Sequence, residues 1–539
     1  MNGAGGRCFY LAGICLVVLV LVMSLVTIER QASWEDEVFA ISTAWSLARS
    51  QAPILSVLAQ YPHTGSPILF YGPVSFEAAA LLIRAFGLSP TIWRLACFGG
   101  VLLCLFASCQ LVRVAGGDRW AQVITALVIA LIESVGSTLP GRWDAVSCGL
   151  FLSGLLLFLG AIERERRILF WRSVLAGVLI GFALASTPRA LTLSLAALAA
   201  LVLTGLCFAR LRGRFILGSV GTALTALLVH TLLLLRWGQT TVSWYGFITG
   251  ATAGDSINAT PLAGRGVWTL DLGHHKTLAL LIFVLVMISA FNLAARSSRV
   301  NKEKIPIKVC LTVFAFINSS LMLLLLANAL GQAVFWLPPV IVATMCWLDL
   351  ESKIGRTGAR IAVFLTGACL LLPLLQQAEQ LAVVLLTWNQ RSTTALTAFV
   401  KRTIPVGSVV YGPVGGYFYP VEISGDQYLY PFEQTTPGLY SERRASAAAK
   451  LDEEICSQRA YAMWPKTDPV HHPQEQTMPE EVRERLQAPL GEFDQPALAQ
   501  WKNVLLQRMG EIGGKYGFPD AVIYSLKTEA CGKDGSNLR

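Results

Sequence analysis

Three consecutive acids, Glu35, Asp36 and Glu37, follow the apolar run Phe9–Ile28 and open the helix-like pattern of QASWEDEVFAISTAW, Gln31 to Trp45. A carboxylate held at such a border can take the proton from an acceptor hydroxyl. Other ionisable and polar residues sit at the borders of later apolar runs: His63, Tyr71, Arg94, Arg142 with Asp144 in GRWDA, and Arg189 in STPRALT. Guanidinium groups grip phosphate oxygens through paired hydrogen bonds, so carboxylates beside arginines at a membrane surface suit transfer from an anionic, lipid-linked donor. Plainer readings stand beside this one. The acids also suit a solvated first helical turn, Arg142 with Asp144 an ion pair at a span end, Arg94 a snorkelling side chain, and Arg189 a turn residue after Pro188. Glu77 reads as the polar face of a surface helix.

The elements that must position these residues are set by composition. Of 539 residues 54% are hydrophobic and 14% charged, and the mean hydropathy is +0.55, whereas soluble domains carry about 25% charged residues. The chain is polytopic in a membrane. A formal net charge of +9 points elsewhere than to nucleic acid, because the basic residues lie in short loops between apolar runs. Runs long enough to span are Phe9–Ile28, Ile92–Val114, Trp120–Ser137, Ala145–Ile162, Ile168–Ala185, Leu191–Ala209, Phe215–Leu235, Leu278–Ala295, Val309–Leu330, Ala333–Leu350 and Ala359–Leu386, about eleven in all. The first is longer than a secretory h-region and reads as a retained anchor.

Basic residues alternate by loop. Arg113 and Arg119, Arg164 to Arg172, Arg210 to Arg214, Arg296 to Lys308, and Lys353 to Arg360 fill every second connection. Those loops are expected in the cytoplasm with the N-terminus, and the tail from about residue 389 outside, in a multi-pass protein of the cell (inner) membrane. The segment Ser66–Gly87 scores as apolar, yet Pro73, Glu77 and Arg84 argue against a span. Its periodic Ala80, Leu81, Ile83 and Phe86 suit a helix lying in the interface. With it flat, the three acids and GRWDA face the same side.

The expected organisation is a transmembrane domain over 1–388, with external loops at 29–91 and 237–276, and an extracytoplasmic α/β domain over 389–539. Trp244 and Tyr245 in the second loop can stack on sugar rings of an acceptor. His274 and His275 read as a solvated loop. GSVVYGPV, RAYAMWP and DAVIYSL read as strands, and SERRASAAAKLDEEIC and EEVRERLQ as helices. Of twelve cysteines, those in apolar runs read as small core residues. Cys456 and Cys531 in the tail read either as a disulfide or as two thiols. No metal-ligand spacing is present, so no divalent metal is implied.

Five motifs in order over residues 9–210 carry a family resemblance: WEDEVFAISTAW, SPILFYG, LSPTIWRLACF, GRWDAVSCGLFLSGLLLF and LASTPRALTL. The chain resembles the GT-C glycosyltransferases of the protein O-mannosyltransferase and aminoarabinose transferase type. The resemblance implies a GT-C fold and inverting transfer from a polyprenyl-phosphate sugar to an extracytoplasmic glycan, lipid or protein. It places Asp36 and Glu37 on the paired acids of the first external loop, with Asp36 as general base and Asp144 beside them. Arg94, Arg142, Arg189, His63 and Tyr71 become donor-phosphate and substrate residues. His63 stands in YPHTGSP where the family often has a lysine, and Arg189 likewise replaces a lysine. The lipid-linked donor is a co-substrate, and no further cofactor is implied. Two other classes remain open at this point: a flippase or transporter of lipid-linked sugars, which would place ionisable groups at mid-span, and a non-catalytic scaffold, for which the acids would be dispensable.

Overall fold

In hydrocarbon every backbone N–H and C=O must be paired within its own segment, so long apolar runs become helices. The structure, a computed structural model, describes residues 4–30, 35–51, 71–136, 143–238, 302–325, 333–347, 393–413, 417–429, 455–456, 459–465, 478, 480–493 and 521–527, with isolated positions between 374 and 388. The helices are α1 (Ala4–Arg30), α2 (Glu35–Ala48), α3 (Pro73–Phe86), α4 (Pro90–Val114), α5 (Arg119–Gly136), α6 (Asp144–Leu159), α7 (Arg166–Leu184), α8 (Ala190–Cys207), α9 (Arg212–Leu235), α10 (Ile305–Leu325) and α11 (Ala333–Met345). Among the described residues, four segments are long and apolar enough to cross a membrane: Pro90–Val114, Arg166–Leu184, Ala190–Cys207 and Ala209–Leu235. Shorter apolar stretches lie in α1, α5, α6 and α10. The expected spans Leu278–Ala295 and most of Ala359–Leu386 lie outside the described residues. The expected span Ala333–Leu350 begins as α11, which carries Pro338 and Pro339 inside it and ends at Met345.

Local chemistry sets the helix starts. Ser89 caps α4, its hydroxyl accepting from the Thr91 N–H at 3.2 Å, and Pro90 fills the first turn, where no backbone donor is required. Pro73 opens α3 in the same way. At 14 residues α3 is too short to span, as the sequence indicated. It buries Phe76, Ala79, Ala80 and Ile83 and exposes Leu81 and Phe86.

Small residues bring α4 and α6 together. A Cβ added at Gly149 would lie 2.9 Å from the Cys104 amide nitrogen and 3.0 Å from the Gly100 carbonyl, and one at Gly100 would lie 2.4 Å from the Val146 amide. Around this contact a core of Phe151, Leu155, Phe158, Ala196 and Phe314 joins α6, α8 and α10. Cys104, Cys148, Cys310 and Cys346 are buried there as expected, but Cys15 and Cys207 are exposed on helix surfaces, which corrects their reading as core residues.

The bundle has two unlike ends. At one, Lys304 Nζ meets Glu163 Oε2 at 2.6 Å, and Arg214 Nη1 donates to the Ile162 carbonyl at 3.0 Å. Among the described residues, the basic connections around Glu163, Arg214 and Lys304 meet here. At the other end lie the starts of α2, α4, α6 and α8 and the finishes of α7 and α9.

The C-terminal residues form α12 (Thr393–Thr403), β1 (Val409–Tyr411), α13 (Phe418–Ile423), β2 (Gln427–Leu429), β3 (Ala460–Trp464), α14 (Glu480–Arg483), β4 (Leu486–Phe493) and β5 (Ala521–Leu526). The sheet order is β2-β1-β3-β5-β4. β1 pairs in parallel with β2 and β3, Val410 standing opposite Tyr428 and Tyr461, while β5 runs antiparallel to β3 and β4. EEVRERLQ, expected as a helix, is helical only over Glu480–Arg483, and its end enters β4. β4 pairs through register shifts around Pro489, a residue tolerated at sheet edges and bulges. The sheet domain does not stand apart from the bundle. Phe399, Phe418, Tyr428 and Ile523 share one apolar core with Val38, Ile41, Phe76, Trp93 and Trp143.

The glycine contact gives a direct test. Gly149→Val is expected to destabilise the protein by about 1–3 kcal/mol through overpacking, read as a lower unfolding midpoint in detergent. Gly99→Val, with nothing within 4 Å of its added Cβ, is the matched control and should leave the midpoint unchanged.

Candidate functional site

The site begins at the first turn of α2, where the helix dipole favours the acids. Glu35 and Asp36 occupy the first two helical positions, and the placement of their side chains lies outside what is described. Glu37 follows and turns inward. Its Oε1 accepts from Arg94 Nε at 2.9 Å and its Oε2 from Arg94 Nη2 at 2.9 Å, the fork-on-fork arrangement that guanidinium and carboxylate share. The Tyr419 hydroxyl, arriving from α13, donates to the same Oε1 at 3.0 Å. The two charged side chains are 0% and 1% exposed. Two ionisable groups taken so far from water depend on each other, and the Tyr419 hydroxyl satisfies a further lone pair of the carboxylate. Burial, and next the Glu37 charge, push the Tyr419 phenol well above its ordinary value, so it remains a donor at any physiological pH.

This geometry changes two expected roles. Glu37 reads as a catalytic acid in the sequence, but its carboxylate is fully engaged and closed to solvent. It fixes α2 against α4. Arg94 reads as a phosphate ligand or a snorkelling cation, but its Nε and Nη2 are engaged by Glu37 and its side chain is buried.

Asp144 opens α6 and is also buried. Its partner is Arg189, at the α7–α8 turn, whose Nη1 lies 3.0 Å from Oδ2 and 3.3 Å from Oδ1. The sequence suggests Arg142 as the partner, two residues away, and Arg142 lies outside the described residues. Arg189 keeps 31% of its side chain exposed, so its guanidinium is anchored on one side and reachable on another. The α7–α8 turn is held in place by backbone contacts. The Gly72 N–H donates to the Ser186 carbonyl at 2.7 Å, the Ser75 hydroxyl to the same oxygen at 3.0 Å, and the Ser147 hydroxyl to the Ala183 carbonyl at 2.9 Å. These bonds set Tyr71, which is buried, beside the turn. Cys97, one turn beyond Arg94, lies within electrostatic reach of Glu37, Arg94 and Asp144 alike. Both ion pairs lie at the end of the bundle where α2, α4, α6 and α8 start. Beneath it Trp93 and Trp143 pack at 5.3 Å between ring centroids.

Glu77 is more than a polar-face residue. Its Oε1 accepts from the Trp237 indole N–H at 2.8 Å and its Oε2 lies 3.3 Å from Arg236 Nη1, while Phe76 stacks on Trp237 at 6.0 Å. This ties α3 to the end of α9, where the loop 237–276 begins. His63, Trp244, Tyr245, His274 and His275 lie outside the described residues. Cys456 is disulfide-bonded, and Cys531 is outside the described residues. Among the described residues, no three His, Cys, Asp or Glu side chains gather as metal ligands would.

Sequence reasoning missed Tyr419 and Glu422 entirely. Both lie on α13, a six-residue helix in YFYPVEIS that resembles neither a long periodic helix nor a strand. Glu422 accepts from the Trp45 indole N–H at 2.7 Å and from the Tyr428 backbone N–H at 2.9 Å, with Arg49 Nη1 at 3.7 Å. Burial raises its carboxyl above the usual range, opposed by these donors and by the Arg49 charge. A hint was available in the three aromatics of YFY, since aromatic side chains with polar tips suit a border between an apolar core and hydrogen-bonding partners.

No protein-family model matches the chain, and no curated protein matches it in sequence. Similar solved structures include the oligosaccharyltransferase AglB from Archaeoglobus fulgidus, in complex with an inhibitory peptide and a dolichol-phosphate, at 13% identity over 86% of this chain and 70% of that one, with a TM-score of 0.44. ArnT from Cupriavidus metallidurans, bound to undecaprenyl phosphate, is similar at 11% identity over 99% of this chain and 100% of that one, with a TM-score of 0.42. The arabinosyltransferase EmbB from Mycobacterium smegmatis is similar at 17% identity over 62% of this chain and 30% of that one, with a TM-score of 0.42.

The buried pair makes a distinctive double-mutant cycle. Glu37→Leu or Arg94→Leu alone leaves one charge buried without its counter-ion and is expected to cost about 3–5 kcal/mol. Glu37→Leu with Arg94→Leu should recover a large part of that loss. Unfolding midpoints of the four proteins in one detergent measure the coupling.

Proposed function

We propose that the protein is a membrane glycosyltransferase of the GT-C type, moving one sugar with inversion from a polyprenyl-phosphate carrier to an extracytoplasmic acceptor. One observation carries this reading. The starts of α2, α4, α6 and α8 bring the Asp36 turn, Arg94, Asp144 and Arg189 to one end of the bundle, opposite the basic loops. Ionisable groups gathered at one mouth suit chemistry at the membrane surface better than carriage across the midplane, where a flippase would place them. Basic loops are retained in the cytoplasm, so the mouth faces outward from the cell membrane, and the sheet domain with it.

In this reading Asp36 is the general base. Glu37, its neighbour, is committed to Arg94 and Tyr419, so this reading gives the base's role to Asp36, the other acid of the matched pair. The acceptor hydroxyl gives its proton to Asp36 while its oxygen forms a bond to the anomeric carbon. The bond from that carbon to the phosphate oxygen breaks, and its electron pair leaves on the polyprenyl phosphate. Attack from the face opposite the leaving group inverts the anomeric centre. Arg189, anchored by Asp144 and partly exposed, takes up the growing phosphate charge, with Arg142 and His63 as further cations. Tyr71 supports the donor, and Trp244 and Tyr245 stack on the acceptor. The lipid chain of the donor lies along the apolar helices.

The test is Asp36→Asn. With a panel of polyprenyl-phosphate hexoses and pentoses, the purified variant is expected to lose at least about 100-fold in transfer rate, the lower range for removing a general base. Its unfolding midpoint should stay unchanged. Full transfer by this variant would overturn the base assignment. Carrier translocation without any sugar transfer by the unmodified protein would favour a flippase.

A further inference from the structure

We propose that Tyr419 and Glu422, on α13 of the sheet domain, form a latch that positions the acid-bearing helix α2, so that the membrane site is assembled only when the sheet domain is docked. The inference rests on the reading of Asp36 as the base. It assigns the latch residues a positioning role rather than a catalytic one.

The geometry is two-pointed. Tyr419 and Glu422 are three residues apart on α13, a spacing that puts both on one side of a helix. Tyr419 donates to Glu37 near the start of α2. Glu422 accepts from Trp45 near its end. Those two α2 residues are eight apart, a rise of about 12 Å at ~1.5 Å per residue. A helix held at one point can still pivot or roll about it. Held at two points separated by two turns, it can do neither.

A third strut closes the far end. Arg49 lies 3.7 Å from Glu422 and stacks over the Trp45 ring at 4.9 Å. On the bundle side, Arg94 clamps the same Glu37 oxygen that Tyr419 reaches. α2 is therefore gripped between α4 and α13. Val38, Ile41 and Ala44 complete the grip in the apolar core shared with Phe418 and Tyr428.

Asp36 sits one position before Glu37 in the same turn. Any roll or tilt of α2 moves its carboxylate directly, and misplacement of a reacting group by about 1 Å costs on the order of 100-fold in rate. A hydroxyl and a carboxylate contributed from nearly four hundred residues downstream thus set the aim of the base. Tyr419→Phe deletes only the oxygen on Glu37. Glu422→Leu deletes both acceptors, whereas Glu422→Gln keeps one amide oxygen.

The experiment uses the full chain in nanodiscs. Spin labels at Gln51→Cys, just beyond α2, and Val406→Cys, exposed on the sheet domain, report their separation, with exposed Cys15 and Cys207 changed to Ser. The unmodified latch is expected to give a narrow distance distribution. Tyr419→Phe with Glu422→Leu should broaden it, and Glu422→Gln should fall between. In parallel, Tyr419→Phe should lower kcat for sugar transfer at least tenfold with KM for the donor within threefold, which a general loss of folding would not produce. An unchanged distance distribution in the double variant, or wild-type kcat in Tyr419→Phe while Asp36→Asn is inactive, overturns the latch. Broadening together with full transfer by Asp36→Asn leaves the latch standing and overturns the proposed base instead. Should Tyr419→Phe fail to fold, the graded pair Glu422→Gln and Glu422→Leu carries the same comparison.

Discussion

A carboxylate and a guanidinium that see no water stand at the centre of this molecule. Glu37 and Arg94 sit at the border between a helical bundle and a sheet domain, and every element near them is arranged to keep both charges satisfied. α4 supplies the fork, α2 the acid, and α13 a hydroxyl on a further lone pair. A buried pair of this kind contributes little net stability against an apolar substitute, but it is exacting about geometry. Apolar packing tolerates small slides. Three directed hydrogen bonds on one carboxylate do not.

The second ion pair works differently. Asp144 is as buried as Glu37, but its partner Arg189 is open to one side. A charge held at one face and reachable at another is preorganised: the carboxylate has already fixed the guanidinium before a ligand arrives. The site thus combines a closed pair with a second pair whose arginine stays partly exposed. The close approach of α4 to α6 at Gly100 and Gly149 keeps the helices that carry Arg94 and Asp144 near each other.

The bundle was legible in the sequence to the extent that hydrophobic runs dictate helices. The starts of α4, α6 and α8 fell close to the expected borders, and Pro73 marked α3 as a short surface helix. The alternation of basic loops also foreshadowed the two unlike ends. Pairings were harder to read. Arg142 stands nearest to Asp144 in sequence and lies outside the described residues, while the helix connections bring Arg189 to Asp144 across 45 positions. Glu37 reads like Asp36 because both are acids on one turn, and only the third dimension shows that Glu37 turns inward. The tail was least legible. β2 and β1 are three residues each, too short for alternation to register, and β4 carries Pro489 and Gly491. α13 escaped notice because its importance lies in what it touches in another part of the chain.

The short helix α3 has a bearing on the lipid around it. Its Leu81 and Phe86 are 63% and 70% exposed, apolar side chains suited to the acyl boundary of a bilayer. On its other side Glu77 is bound to Trp237 and Ser75 to Ser186. A float moored in this way sets the height of the whole mouth relative to the lipid surface. Bilayer thickness then becomes a variable of the site: a thinner or thicker membrane pulls on α3, and through its moorings on the turn that carries Arg189.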